Sequence, residues 1–160
     1  QARARRAQTG VPALLFGEES GPVPEEKGCE EMTEQSEDTF YVFVSGPMSE
    51  YPSGYLACCA EMSAYARRFM EMGMCPINPA GDMLEGLVSS KPLGGWQYRR
   101  RSIELLRLLD GRDAAVYVVS RTHRDGRDAD GVVAEIAEAE RLGIPVVYDV
   151  ETLLDVRAGA

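Results

Sequence analysis

The stretch Asp130-Gly131-Val132-Val133-Ala134-Glu135-Ile136 sets a carboxylate near the start of a helix, and it is the part of the chain best suited to chemistry. Take Val132 as the centre of the buried arc and about 100° of rotation per residue. Ile136 and Ala139 then lie within about 40° of it, and Glu135 about 60° to one side. The spacing predicts a carboxylate on the rim of the apolar face, in the first turn, where helix amides favour its ionised form and leave it able to attack an electrophilic carbon. A first-turn Glu can equally do no more than complement the helix dipole. Asp125, Asp128 and Asp130 crowd the preceding loop, and one of them could act as acid or base beside Glu135. Asp130 also suits the N-cap of that helix.

A second candidate is the loop Ser45-Gly46-Pro47-Met48. Gly46 lets a ligand approach the backbone, and free amides at the next helix favour an anion or a sugar hydroxyl. Strand-Gly-Pro is also ordinary turn punctuation. The loop is neither G-x-G-x-x-G nor a Walker motif, so neither a dinucleotide fingerprint nor ATP chemistry is indicated. Trp96 and Tyr98 could stack on a base or simply seam a helix to the core. Arg99-Arg100-Arg101 could hold a phosphate, but three consecutive charges point around much of a helix, and solvation or pairing with acids is the simpler reading. The one histidine, His123, falls in a polar loop and is expected to be exposed. The four cysteines, Cys29, Cys58, Cys59 and Cys75, form no C-x-x-C pair, so no zinc or other metal site is expected. Adjacent Cys58 and Cys59 read as small core residues or free thiols in a reducing compartment.

These side chains must be positioned by regular elements, and the pattern supplies them from Thr39 onward. Short apolar runs at 40–44, 74–79, 113–119 and 144–148 read as buried strands. Helical stripes fill 54–73, with Leu56, Cys59, Ala60, Ala66, Phe69 and Met70 inward, and 96–109, with Ile103, Leu106 and Leu109 inward. Further helices are predicted over 131–142 and 150–156. Residues 80–95 should be a loop with a helical turn near 83–87, and 120–130 a polar loop. Alternating strands and helices imply an α/β domain over 39–160: a parallel sheet of four to five strands in a flavodoxin- or Rossmann-like three-layer sandwich, joined by right-handed crossovers. Ligands of such sheets bind beyond the carboxyl ends of the strands, which directs attention to the loops 45–54, 78–95 and 120–130.

Residues 1–38 differ in kind. Gln1 to Gly17 holds Arg3, Arg5 and Arg6 and no acid, whereas Glu18 to Asp38 holds nine acids against Lys27 alone. Neither part has a sustained period, so an extended, disorder-prone N-terminal tail is expected, with 11–16 as a short apolar anchor for other protein subunits. The Arg-rich, acid-free start resembles what a processed mitochondrial targeting region leaves, so a mitochondrial location is expected, and a cytoplasmic one otherwise. The net charge of −9 argues against nucleic acid as the main partner, and no apolar run reaches transmembrane length.

The order of these pieces carries a resemblance. A strand ending in Ser45-Gly46-Pro47-Met48, a strand ending in Asn78-Pro79, then Asp113-Ala114-Ala115-Val116, Gly131-x-x-x-Glu135 and Gly143-Ile144-Pro145-Val146 together resemble the nucleoside 2-deoxyribosyltransferase superfamily. The likeness is to its small branch with a Trp-containing segment, here Trp96, before the middle helix, and it covers about two-thirds of the chain, from Tyr41 to Tyr148. It implies a retaining double displacement in which Glu135 attacks the anomeric carbon of a deoxyribonucleoside or nucleotide, the base departs, and a second base or water takes the sugar. It implies Asp130 or a neighbouring Asp as proton handler, and Gly46, Pro47, Met48, Asn78, Trp96, Asp113 and Gly131 as substrate-binding residues. It implies no metal or organic cofactor, and a homo-oligomer for an active enzyme. The chain departs from the family at Val132, where Thr is frequent, and at Ala137, where Gly is frequent; the acidic residue of the middle helix would be Glu104.

Two functions remain open on this reading. One is a deoxyribosyltransferase or nucleotide N-glycosidase. The other is a catalytically silent accessory subunit of a larger mitochondrial assembly, such as a respiratory-chain complex, docked through residues 1–38. Fold does not choose between them, because function belongs to sites.

Overall fold

A computed structural model of the chain describes residues 39–48, 51–83 and 93–160. The expected tail over 1–38 and most of the expected helical turn at 83–87 lie outside them. The described elements are β1 (Tyr41–Ser45), α1 (Pro52–Glu71), β2 (Cys75–Ile77), a 3-10 turn (Pro79–Met83), α2 (Gly95–Arg107), β3 (Ala114–Val118), α3 (Asp130–Leu142), β4 (Val146–Val147) and α4 (Val150–Ala158). The four strands are all parallel, in the order β2-β1-β3-β4. This is the α/β sandwich expected from the alternating pattern, with four strands among the described residues.

Strand periodicity divides the core in two. Val42, Val44, Ala115, Tyr117 and Val147 pack with Tyr55, Cys59, Met62, Ala66 and Phe69 of α1 and Leu153 of α4. Phe43, Val116 and Val118 face the other way, onto Leu106 of α2 and Val132 and Ala139 of α3. Side chains alternate across a strand, so a fully apolar strand such as β3 must have helices on both faces. β1 has a crossover to each side: α1 leads to β2 on one flank, and α2 leads back past β1 to β3 on the other. The strand order therefore reverses between β1 and β3, and this switch point opens at the carboxyl edge of the sheet.

Two local signals explain the helix ends. Gly73 follows α1 at φ 74° and Gly143 caps α3 at φ 71°, a left-handed conformation that costs glycine little. α4 starts at Asp149, whose carboxylate accepts from the Thr152 amide at 2.8 Å and lies below its ordinary pKa through that bond.

The inward face of α1 corrects the expected stripe. Tyr55, Cys59, Met62, Ala66 and Phe69 are buried, whereas Leu56 and Met70 are exposed, as is Ala60. The true arc keeps Cys59, Ala66 and Phe69 and is led by an aromatic. Tyr55 can be buried because its hydroxyl donates to the Ala80 carbonyl at 2.6 Å, so its polar atom is satisfied. On α2 the inward arc is Ser102 and Leu106, continued by Leu109 beyond the helix; Ile103, expected inward, is half-buried.

Candidate active site at the carboxyl edge of the sheet

Three elements bring three polar side chains together. β1 ends at Ser45, which shares the face of Phe43 and has no exposed surface. α2 buries Ser102, four residues before Leu106 on the same stripe. α3 buries Glu135, three residues after Val132. Ser45 Oγ donates to Glu135 Oε2 at 2.5 Å, and Ser102 Oγ donates to Glu135 Oε1. Among the described residues these three are the buried polar or charged side chains. They stand at the end of β1, in the helix that precedes β3 and in the helix that follows it, at the switch point between β1 and β3.

The electrostatics differ from the expectation. Glu135 is the sixth residue of α3, in its second turn, beyond the free amides of the first turn, and it accepts its hydrogen bonds from the two serine hydroxyls. Helix amides therefore do not hold it ionised. Burial pushes its carboxyl above the ordinary glutamate value, and the bonds from Ser102 and Ser45 pull the other way without overcoming it. Glu135 is 9% exposed, so it lies inside the rim on which the sequence put it. A carboxyl in this setting can take up or release a proton nearer neutral pH, and its anion, weakly solvated, is a stronger nucleophile than one in water.

The other expected residues are placed unequally. Asp130 is the first helical residue rather than the N-cap; that position belongs to Ala129, which has no side-chain bond to the helix. The Asp130 side chain is 89% exposed and lies 4.0 Å from Arg99 Nη1. Five residues from Glu135, it points about 140° away around the helix, which argues against a direct proton exchange with it. Asp125 pairs with Arg127 at 2.7 Å, and Asp128 with Arg121 at 3.4 Å. Asp113 is exposed and precedes β3, so it stands at the amino end of the strand, on the order of 17 Å from the carboxyl edge. Its carbonyl accepts from the Tyr41 amide at 2.8 Å, a sheet contact, and a substrate role beside Glu135 does not fit.

Gly46, Pro47 and Met48 do follow β1 at the correct edge. Gly46 is buried, and a Cβ there would come within 3.1 Å of Met62 Sδ, so close packing onto α1 explains the glycine. Met48 packs partly against the α1 core. Asn78 uses its side chain locally: Oδ1 accepts from the Ala80 amide at 3.1 Å and Nδ2 donates to Ser63 Oγ at 3.4 Å. Trp96 is 61% exposed on the first turn of α2, with its indole over Gly94. Gly131 lies against the Arg99 side chain. Arg101 pairs with Asp82 at 3.0 Å, and Glu104 with Arg107 at 2.9 Å on the exposed side of α2, away from Glu135. His123 is half-buried in a loop closed by the Thr122–Asp128 bridge, rather than exposed.

Ser45 and Ser102 are the residues that the sequence reading missed. Ser102 carried a usable signal, a lone hydroxyl on an otherwise apolar stripe with Leu106 and Leu109. Among the described residues, no three His, Cys, Asp or Glu side chains gather so as to hold a metal ion, and no helix is long and apolar enough to cross a membrane. No model of a known protein family matches the chain, and no curated protein matches it.

Proposed function

We propose that this chain is a nucleoside 2-deoxyribosyltransferase-like enzyme that cleaves or transfers the N-glycosidic bond of deoxynucleosides or deoxynucleotides. One observation carries the reading: a buried carboxyl, Glu135, held by two serine hydroxyls at the switch point of a parallel sheet. Ionised Glu135 attacks the anomeric carbon, the bond to the base breaks, and the base leaves with a proton drawn from water or a nearby acid. The sugar is then an ester of Glu135. Water or a second base attacks the same carbon and frees the carboxylate, with retention overall. Ser45 and Ser102 orient the two oxygens and share their charge between steps. The scheme requires no metal or organic cofactor. In the superfamily it resembles, sites form between identical subunits, so a homo-oligomer belongs to this reading.

The same geometry favours a second reading on one point. Both oxygens of Glu135 already have serine donors, so the carboxyl is satisfied without any ligand. A silent accessory subunit of a mitochondrial assembly, docked through residues 1–38, would keep such a group as a buried polar staple.

The readings part in one experiment. The purified chain is incubated with each deoxynucleoside and its 5′-monophosphate, and free base is measured by chromatography. Base release, together with a covalent sugar adduct on the peptide containing Glu135, supports the enzyme; no release from any of them supports the silent subunit.

A further inference from the structure

One buried polar atom on α2, about a turn before Ser102, has no bond. Tyr98 Oη is buried, yet among the described residues it has no hydrogen-bond partner. Buried hydroxyls nearly always have one, and leaving one unmade costs roughly 1–3 kcal/mol. Tyr98 stands four residues before Ser102 on α2, so the two share a face about one turn apart. Ser102 faces Glu135. Tyr98 also lies close enough to Tyr55 to help raise the Tyr55 pKa, after burial and Cys59. Tyr55 and Cys59 both donate to the Ala80 carbonyl, so this part of the fold has its own polar atoms paired and leaves the Tyr98 hydroxyl over.

We infer that Tyr98 is a substrate-positioning residue whose phenol hydrogen-bonds a hydroxyl of the bound sugar while the anomeric carbon faces Glu135. This rests on the proposed glycosyl-transfer reading and adds a specificity contact to it. A phenol can both donate and accept, which suits a sugar hydroxyl.

The test is Tyr98→Phe, which removes the hydroxyl alone. Equilibrium binding is measured for natural deoxynucleosides and for their 3′-deoxy and 5′-deoxy counterparts, with wild type and variant, alongside thermal melting. The expected result is about tenfold weaker binding of the natural ligand by the variant. Wild type should lose a similar factor when one sugar hydroxyl is removed, and the variant should lose no more for that ligand. Melting should be unchanged or slightly raised, since no protein bond is lost. Unchanged affinity, or a lowered melting temperature with no coupling to a ligand hydroxyl, overturns the inference and shows that Tyr98 is a packing residue. Binding is read without turnover. A chain that binds but releases no base therefore refutes Glu135 as nucleophile while Tyr98 is still decided by its own coupling. A wild type that binds none of these ligands overturns both.

Discussion

Glu135 and Glu138 are one helical turn apart on α3, and their carboxyls are pushed in opposite directions. Glu135 faces the sheet, meets two neutral hydroxyls, and is raised by burial. Glu138 faces the flank of α2 and sits between two guanidinium groups, with Arg107 Nε at 2.6 Å and Arg141 Nη2 at 2.8 Å. Arg141 and Arg107 together hold it down to about 2. Both guanidinium groups on that flank pair with Glu138, whereas Glu135 is held by hydroxyls. A carboxyl wanted only for structure is most simply stabilised as Glu138 is, by charge pairing; one left desolvated beside neutral donors keeps its reactivity at a cost in stability.

The largest expected difference between the two is in turnover. Glu135→Gln should lower base release by about 10³-fold or more, because an amide neither attacks nor leaves as a carboxylate does. Base release that persists at the wild-type rate would remove Glu135 from the chemistry. The wild-type rate should also rise with pH along an acid limb displaced upward from the ordinary glutamate range, since only the ionised form attacks and burial raises its pKa.

The serines come next. Ser102→Ala leaves one oxygen of a buried carboxyl without a donor, and should cost about 1–3 kcal/mol of stability at neutral pH. It should also move the acid limb of the rate profile to higher pH, because the bond that favours the charged form is gone. Ser45→Ala should act in the same direction. Chemical denaturation and the pH profile report the two effects separately, and a limb that stays in place would show that these hydroxyls do not tune Glu135.

Much of this contrast was absent from the sequence for a definable reason. The helix that carries both glutamates, its Gly143 stop and the inward placing of Val132 and Ala139 follow from a 3.6-residue period, which is local information. The partners of Glu135 are 90 and 33 residues away in the chain. No local pattern contains them; they meet because parallel crossovers bring the end of β1 between α2 and α3. Asp113 is a different case. Its place at the amino end of the strand follows from the sequence alone, and only the family resemblance, not the strand pattern, put it among the substrate-binding residues. On α1, the amphipathic pattern places Cys59, Ala66 and Phe69 inward as found but leaves out Tyr55, which counts as polar or apolar according to whether its hydroxyl finds a partner, here the Ala80 carbonyl.

Stability against pH should separate the two glutamates by sign. Glu135 has a raised pKa in the fold, so the native state binds its proton more tightly than the unfolded chain does. Its contribution is complete below the unfolded value of about 4.5 and is lost as pH rises through the folded value. Glu135→Gln should therefore gain on wild type as pH increases, and the gap should close toward acid. Glu138 is the reverse: its contribution is present above about 4.5 and is lost as pH falls toward about 2. At low salt, urea midpoints of the two variants across the acid to neutral range should diverge from wild type in opposite senses, Glu138→Gln by the smaller amount, and parallel curves for Glu135→Gln would refute the assignment.

The smallest effect belongs to Glu138→Gln at neutral pH. Its arginine partners are about half exposed, so solvent and salt screen the attraction, and pairs of this kind add little. Removing the charge should lower the melting temperature slightly at low salt and not measurably at high salt. It should leave the rate of base release within about twofold of wild type, as the side chain faces α2 and not the switch point. This null result in turnover is informative because the substitution, the helix and the distance along it match those of Glu135→Gln. If both variants lost activity together, the cause would be a disturbed α3, and the chemistry assigned to Glu135 would have no support from its own mutant. If only Glu135→Gln does, the loss belongs to the buried carboxyl.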